Sequence, residues 1–128
     1  MKRAILLAAV AVALTPGCGT YSSNMRVGND MAYVSLSEQR DASKSITVYE
    51  TPPEGAKVLG PVDASRCHRS FVESAPSENF LLLDLKIAAY AMGADGLTGV
   101  AINKESALAR NCWYVMNGTA TAIAIPKE

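Results

Sequence analysis

The stretch SENFLLLDLKIAAYAM, residues 77–92, carries the clearest periodic pattern in the chain and decides how the rest must fold. Apolar residues recur in it at helical spacing. They are Phe80, Leu83, Ile87 and Ala91, with Leu81, Leu85, Ala88 and Met92 widening the face. Ser77 suits the N-cap, and Gly93 suits a left-handed cap after the last turn. The pattern predicts one helix from Ser77 to Met92, with Asp84 and Lys86 directed toward water.

Two strand-like segments precede this helix. Ile46–Glu50 is β-branched and aromatic, and it ends in the turn residues TPPEG, 51–55. Lys57–Ala64 reads as a second short strand, in which Pro61 cannot donate a ladder hydrogen bond. We therefore expect the second strand at an edge of the sheet or bulged around Gly60.

Two more strand-like segments follow the helix. Leu97–Asn103 and Cys112–Ile125 are joined by Lys104–Arg110, which is polar and has the composition of a hairpin loop. Gly118 is expected to interrupt the longer strand by a bulge. Because one helix cannot bury itself, the order strand, strand, helix, strand, strand predicts an α+β domain over residues 46–126. Its sheet should be small, four-stranded and largely antiparallel, with the one helix packed on a face.

The N-terminus has the pattern of a bacterial export signal. Lys2 and Arg3 precede an apolar run over residues 4–14, which is too short to span a membrane as a mature helix. The following TPGC, residues 15–18, resembles the lipobox of bacterial lipoproteins, which implies cleavage after residue 17 and a lipid on Cys18. An ordinary secretory cleavage near residue 17, leaving Cys18 as a thiol, is the alternative. Gly19, in place of Asp, favours the outer membrane over the inner one.

Residues 18–45 read as a lipidated cysteine followed by a flexible tether. They are rich in Ser, Asn, Asp and Arg, and only Met31–Val34 offers an apolar run. A flexible coil of this length has a root-mean-square span on the order of 30 Å. A short strand near Tyr33–Ser37 is the one element considered within it.

The charge balance argues against nucleic acid as a partner. Without residues 1–17, the chain keeps ten Lys and Arg, which is twelve less Lys2 and Arg3, against twelve Asp and Glu. No basic patch appears in the sequence, so electrostatic binding to nucleic acid or to anionic lipid is not favoured. The remaining contact with a membrane would be the lipid on Cys18.

Beyond Cys18, the chain has two cysteines, Cys67 and Cys112, separated by 45 residues. Export places them in an oxidising compartment, where an even number of cysteines usually pairs. The chain-entropy model gives roughly 4 kcal/mol for closing a loop of this length. Two free thiols, or a metal site with His68, are the alternatives.

No group of residues has the pattern of an active site, a metal site or a cofactor site. Cys67 and His68 are neighbours, and neighbours in a strand point to opposite faces, which argues against a nucleophile–base pair. Asp84 and Asp95 are isolated carboxylates, interpreted as a helix residue and a turn residue. The glycines of GADG, residues 93–96, follow the helix instead of preceding it, which argues against a phosphate loop.

Four pieces of the sequence occur in an order that resembles a known family. LGPVDASRC (Leu59–Cys67) is followed by AAYAMGADG (Ala88–Gly96), by Cys112 and by NGTATAIAI (Asn117–Ile125). This order resembles the RcsF-type stress-sensor lipoproteins of enterobacterial outer membranes and the wider YbjQ-type set of small domains. The resemblance extends over Ile46 to Ile125. It implies a disulfide between Cys67 and Cys112, because cysteines at these places are joined in the stress sensors.

The resemblance also implies a function. It describes a non-enzymatic outer-membrane lipoprotein whose disulfide-stapled periplasmic domain binds an envelope protein, with envelope-stress signalling as the most concrete form. A small-molecule or metal-binding periplasmic module is the alternative, as is a structural subunit of an envelope complex. The family's second disulfide has no counterpart in this chain.

Overall fold

The computed structural model describes the backbone of residues 24–26 and all of residues 34–127. The elements, in chain order, are β1 (Asn24–Arg26), α1 (Leu36–Ser45), β2 (Thr47–Tyr49), β3 (Lys57–His68), α2 (Glu78–Ala91), β4 (Gly96–Ser106), a short 3-10 helix (Leu108–Arg110) and β5 (Tyr114–Ala124). They form one sheet in the order β1-β3-β5-β4-β2. The predicted signal peptide, 1–17, and Cys18 lie outside the described residues.

The predicted α+β class and the four predicted strands are confirmed. The long β3–β5 and β4–β5 pairs are antiparallel. The sheet differs from the prediction in two respects: β1 adds a fifth strand, antiparallel to the last three residues of β3, and β2 pairs with β4 in parallel. The parallel pair is possible because β3 and α2, which separate β2 from β4 in the chain, provide the long crossover that parallel neighbours require.

Helix α2 occupies the predicted stretch. The Ser77 hydroxyl accepts a hydrogen bond from the Phe80 amide at 3.3 Å, and Gly93 follows the helix with φ of +76°. The residues facing the sheet are Leu81, Leu85 and Ala89, which pack on Val62, Ala64, Met116, Ala120 and Ala122. The apolar face is wide because it serves two partners: Leu83 and Ile87 pack instead against α1.

A second helix, α1, stands where the last ten residues of the flexible tether were predicted, so that prediction is wrong for Leu36–Ser45. Its N-terminus is closed by a capping box, in which the Glu38 amide donates to the Ser35 hydroxyl and the Ser35 amide donates to the Glu38 carboxylate. Ala42 is fully buried against Ile87 of α2. The strand considered near Tyr33–Ser37 is replaced, from Leu36, by this helix.

The two glycines expected at bulges behave differently. The register of β3 against β5 shifts between Val58 and Gly60, which confirms the bulge predicted there. Gly118 does not interrupt β5, which continues from Tyr114 to Ala124. A Cβ at position 118 would lie 3.0 Å from Cδ2 of Leu81 and 3.1 Å from Cδ1 of Leu85. Gly118 therefore lies where α2 packs closely on the sheet, with no room for a side chain.

The sheet has two distinct ends, which are named here for later use. At the disulfide end β3 finishes at His68, β4 finishes at Ser106 and β5 begins at Tyr114. At the distal end β3 begins at Lys57 and β5 finishes at Ala124. Helix α2 begins after the loop that leaves the disulfide end and leads to the start of β4 at the distal end.

Candidate functional site

Cys67 of β3 and Cys112, which precedes β5, form a disulfide with a Cα–Cα distance of 5.6 Å. The predicted pairing is thereby confirmed. Both cysteines are buried, in a small cluster completed by Ala107 and Val115. This cluster lies on the sheet face opposite to α2, because Cys67 alternates with the α2-facing residues of β3. The two thiols of the domain are thus consumed, and neither is available as a nucleophile or a metal ligand.

His68 points away from the disulfide, as strand alternation requires. It is buried, its ring centroid lies 4.9 Å from that of Tyr114, and Nε2 lies 3.0 Å from the carbonyl oxygen of Glu73. A carbonyl only accepts, so Nε2 carries the proton and donates. Nδ1 of His68 and Oε2 of Glu73 have no hydrogen-bond partner among the described residues. His68 therefore anchors the loop that leaves β3 and does not contact Cys67 as a base would.

Arg66 and Asp84 form a buried ion pair that joins β3 to α2. Nε of Arg66 lies 2.6 Å from Oδ2 of Asp84, and Nη2 lies 3.0 Å from Oδ1, a bidentate geometry. The Arg66 guanidinium also lies 5.5 Å from the centroid of the Phe80 ring. The prediction that Asp84 faces water is wrong, since the residue is 1% exposed.

The position of Arg66 in β3 could have predicted this ion pair from the sequence. Arg66 lies two residues after Ala64 and four after Val62, both of which face α2. A basic side chain on that face needs a carboxylate on the helix above it, because an isolated buried charge is very costly. Lys86, the other residue predicted to face water, is half-buried and donates to the carbonyl of Ser43 in α1 at 3.3 Å.

The disulfide end exposes an aromatic cluster, formed by Phe71, Val72 and Trp113. Their exposed fractions are 76%, 77% and 53% respectively. The rings of Phe71 and Trp113 meet edge to face, with centroids 5.9 Å apart. Leu108, 70% exposed, is in the loop that precedes Trp113. Contiguous exposed apolar side chains of this kind mark interaction sites in soluble domains.

The distal end exposes Val58 and Leu59 of β3 and Met92 at the end of α2, together called the distal patch. Val58 lies opposite Ile123 and faces away from α2, so the three side chains flank the edge of β3 on both faces of the sheet. Met92 reaches β3 closely, since its methyl carbon lies 3.2 Å from the point where a Cβ on Gly60 would stand. Strand β1 pairs only with residues 66–68 of β3. In the part of the chain that the structure describes, no strand pairs with residues 57–62 of β3 on their outer edge.

The sequence patterns did not reveal either exposed group. Phe71, Val72 and Trp113 lie in loops, where no periodicity distinguishes an exposed apolar residue from a buried one. The strand and helix patterns assign Val58, Leu59 and Met92 to secondary-structure elements, but they do not show that these side chains are exposed.

Two further observations limit the chemistry of the domain. Residues 34–127 contain no group of three or more His, Cys, Asp or Glu side chains placed to hold a metal ion. In the same part of the chain no helix has the length and apolar character needed to cross a membrane.

Comparison with known proteins does not assign the chain to a family. No protein-family model matches it, and no curated protein matches it either.

Proposed function

We propose that this chain is an exported lipoprotein, attached to the outer membrane through an acylated Cys18, whose periplasmic domain binds an envelope protein and catalyses no reaction. The segment TPGC at residues 15–18 supports the lipid attachment by its resemblance to a lipobox. The order of sequence segments shared with RcsF-type stress sensors supports envelope-stress signalling as the purpose of the interaction.

The disulfide supports the export step. A bond between Cys67 and Cys112 persists in oxidising compartments and is rare where glutathione and thioredoxin keep thiols reduced. A small domain also gains from such a bond, because it closes a loop of 45 residues in the unfolded chain. The bond thus agrees with a periplasmic location for residues 46–126.

The geometry of the domain supports binding over catalysis. A catalytic group must reach a substrate, whereas His68 is buried and holds the Glu73 carbonyl, and the two sulfur atoms are bonded to each other. The carboxylate of Asp84 is held by Arg66. Each of these chemically capable groups already has a structural role.

The observation that carries partner binding is the distal patch beside the uncovered edge of β3. Val58 is 70% exposed at a strand edge whose backbone groups have no partner strand among the described residues. An extended segment of another protein could add to this edge, with its side chains contacting Val58, Leu59 and Met92. Pro61 and the bulge at Gly60 restrict the free edge to a short stretch, which limits pairing between copies of the same chain.

The test uses the intact lipoprotein in its own cells. A photo-reactive residue replaces Val58, and a second strain carries it at Leu36, which is equally exposed at 70% but lies on α1. We expect a discrete cross-linked adduct from position 58 and none from position 36. The absence of an adduct at position 58 would reject partner binding at the distal patch.

The signalling form has its own test. A strain without the gene should lose the response of an envelope-stress reporter to outer-membrane damage. Wild type and Leu36→Asp should restore the response, whereas Val58→Asp should not, because a charge in the patch blocks apolar contact. A deletion strain with a normal response would exclude signalling, but it would not exclude a structural subunit of an envelope complex.

One observation favours the second candidate, a small-molecule or metal-binding module. Nδ1 of His68 and Oε2 of Glu73 are buried without partners among the described residues, and both are groups that bind divalent metals. Calorimetry of the oxidised protein with Zn²⁺ tests this directly, with His68→Gln as the control. Absence of heat at millimolar metal would remove this candidate.

A further inference from the structure

The chain enters the sheet at the disulfide end. In the antiparallel β1–β3 pair, Asn24 lies opposite His68 and Arg26 lies opposite Arg66. Since His68 is the last residue of β3, β1 begins at the disulfide end and runs away from it. The aromatic cluster occupies this same end, because Phe71 follows β3 closely and Trp113 immediately precedes β5.

The distance from the lipid to this end is limited by chain length. Cys18 precedes Asn24 by six residues. Six residues span at most about 20 Å even when fully extended. The distal end is farther away by the length of β3, which is on the order of 40 Å for a strand of this size. An acylated Cys18 is therefore within reach of the aromatic cluster and is farther from the distal patch.

The aromatic cluster is held in a fixed position. The Trp113 amide donates to the carbonyl of His68 at 2.6 Å, which ties the start of β5 to the end of β3. The disulfide joins the residues that immediately precede these two, Cys67 and Cys112. These bonds constrain the backbone at Trp113, and His68 holds the loop that carries Phe71 through the Glu73 carbonyl. The rings therefore lose less conformational freedom on contact with another surface.

The chemistry of this end suits the boundary between lipid and water. Tryptophan combines a large apolar ring with an N–H donor, and it is enriched at membrane interfaces for that reason. Arg69 and Arg110 stand near the same loops and are exposed. Glu105 lies 4.0 Å from Nη2 of Arg110 and offsets part of that charge. The apolar side chains therefore provide most of the attraction, and the arginines add a smaller contribution toward anionic headgroups.

We propose that the aromatic cluster of Phe71, Val72 and Trp113 rests in the interfacial layer of the membrane that holds Cys18, as a second point of attachment. This inference rests on the proposed acylation of Cys18. One acyl anchor and one apolar contact fix the orientation of the domain, which a single flexible anchor does not. The distal patch is then directed away from the membrane, where a protein partner can reach it.

Trp113 provides the test, because it is the single tryptophan of the chain. The purified lipoprotein is incorporated into vesicles of phosphatidylethanolamine and phosphatidylglycerol, with and without lipids brominated near the head of the acyl chain. We expect brominated lipids to quench Trp113, the emission to shift to shorter wavelength, and acrylamide to quench less than it does for protein in detergent-free buffer. The double variant Phe71→Ser/Val72→Ser should reverse these changes, whereas Leu36→Ser should retain them.

The outcomes separate this inference from the proposed function. If mass spectrometry shows acylated Cys18 and the protein floats with vesicles, yet brominated lipids do not quench Trp113, the inference is overturned and the lipid anchor stands. Cys18 without acyl chains overturns both. Shielding of Trp113 that requires added envelope protein overturns the inference in favour of a protein on the aromatic cluster. Full quenching in the Phe71→Ser/Val72→Ser variant also overturns it, because the cluster then makes no contribution.

Discussion

The disulfide end and the distal end belong to the same pair of long strands but are closed by different kinds of bond. At the disulfide end, Cys67 and Cys112 are covalently joined, and the Arg66–Asp84 ion pair attaches β3 to α2. At the distal end, the Asp95 carboxylate accepts a hydrogen bond from the Ile125 amide at 2.9 Å. We therefore expect the free energy of local opening to be higher at the disulfide end.

This difference matches the two proposed contacts. A surface that rests on a membrane gains from rigidity, because fixed aromatic rings lose little entropy on contact. An edge that receives a partner strand must adjust its backbone to the incoming chain, and a hydrogen-bonded end adjusts more easily than a cross-linked one. The variants that follow test how far the two ends differ, beginning with the largest expected effect and finishing with a variant in α1.

Asp84→Ala should have the largest effect. It removes the carboxylate that Arg66 binds with two hydrogen bonds and leaves the buried guanidinium without it. Breaking a buried ion pair in this way costs about 3–5 kcal/mol of unfolding free energy. Urea denaturation followed by circular dichroism measures the change. Asp41→Ala, an exposed acidic residue of α1, is the control and should stay within about 0.5 kcal/mol of wild type.

The double variant Arg66→Met/Asp84→Leu sharpens this result. Replacing both charges by apolar side chains removes the desolvation cost together with the attraction, so a smaller loss than for Asp84→Ala is expected. If the double variant is as unstable as Asp84→Ala, the ion pair does not account for the loss.

Removing the disulfide should have the next largest effect. For Cys67→Ser/Cys112→Ser we expect a loss of about 2–4 kcal/mol, since the bond restricts a 45-residue loop in the unfolded chain. Hydrogen exchange should show β3 and β5 residues near His68 and Tyr114 losing their protection relative to the distal end. If the disulfide end of the variant remains better protected from hydrogen exchange than the distal end, as in wild type, the disulfide does not cause the difference between the two ends.

Much of the ordered core could be predicted from the sequence. The spacing of Leu81 and Leu85 and the caps Ser77 and Gly93 predict α2 because a helix buried on one side leaves a periodic pattern. The bulge near Gly60 was predictable because Pro61 cannot take part fully in a ladder. The pairing of Cys67 with Cys112 was the favoured of three alternatives, because an even number of cysteines in an exported domain usually pairs.

Other elements depend on contacts that a single segment does not reveal. Helix α1 buries only Ala42, so its sequence carries no apolar face, although the spacing of Ser35 and Glu38 is that of a capping box. The burial of Asp84 depends on Arg66, which lies 18 residues earlier in the chain. Strand β2 has three residues, too few for any pattern to show which neighbour it pairs with.

Asp95→Ala should weaken the distal end with a smaller effect. It removes the acceptor of the Ile125 amide at a partly buried position. A hydrogen bond to a charged acceptor contributes about 1.5–3 kcal/mol, and partial exposure places the expected loss at the low end. Hydrogen exchange should show faster exchange near Ala124, with no change near Cys67. Equal acceleration at both ends would mean that the two ends open together.

The smallest effect is expected at Glu38, whose hydrogen bonds to Ser35 form the N-terminal cap of α1. Its bonds with the Ser35 side chain and backbone lower the pKa of Glu38 below its usual value of 4.5. A carboxylate with a lowered pKa in the folded state stabilises that state above the unfolded pKa, and the contribution is lost as the pH falls through the folded pKa. The stability difference between wild type and Glu38→Gln should therefore shrink between about pH 5 and about pH 3. If the stability difference between wild type and Glu38→Gln grows on acidification, the capping box does not favour the charged form of Glu38. That outcome would not change the losses expected for Asp84→Ala and Asp95→Ala at neutral pH.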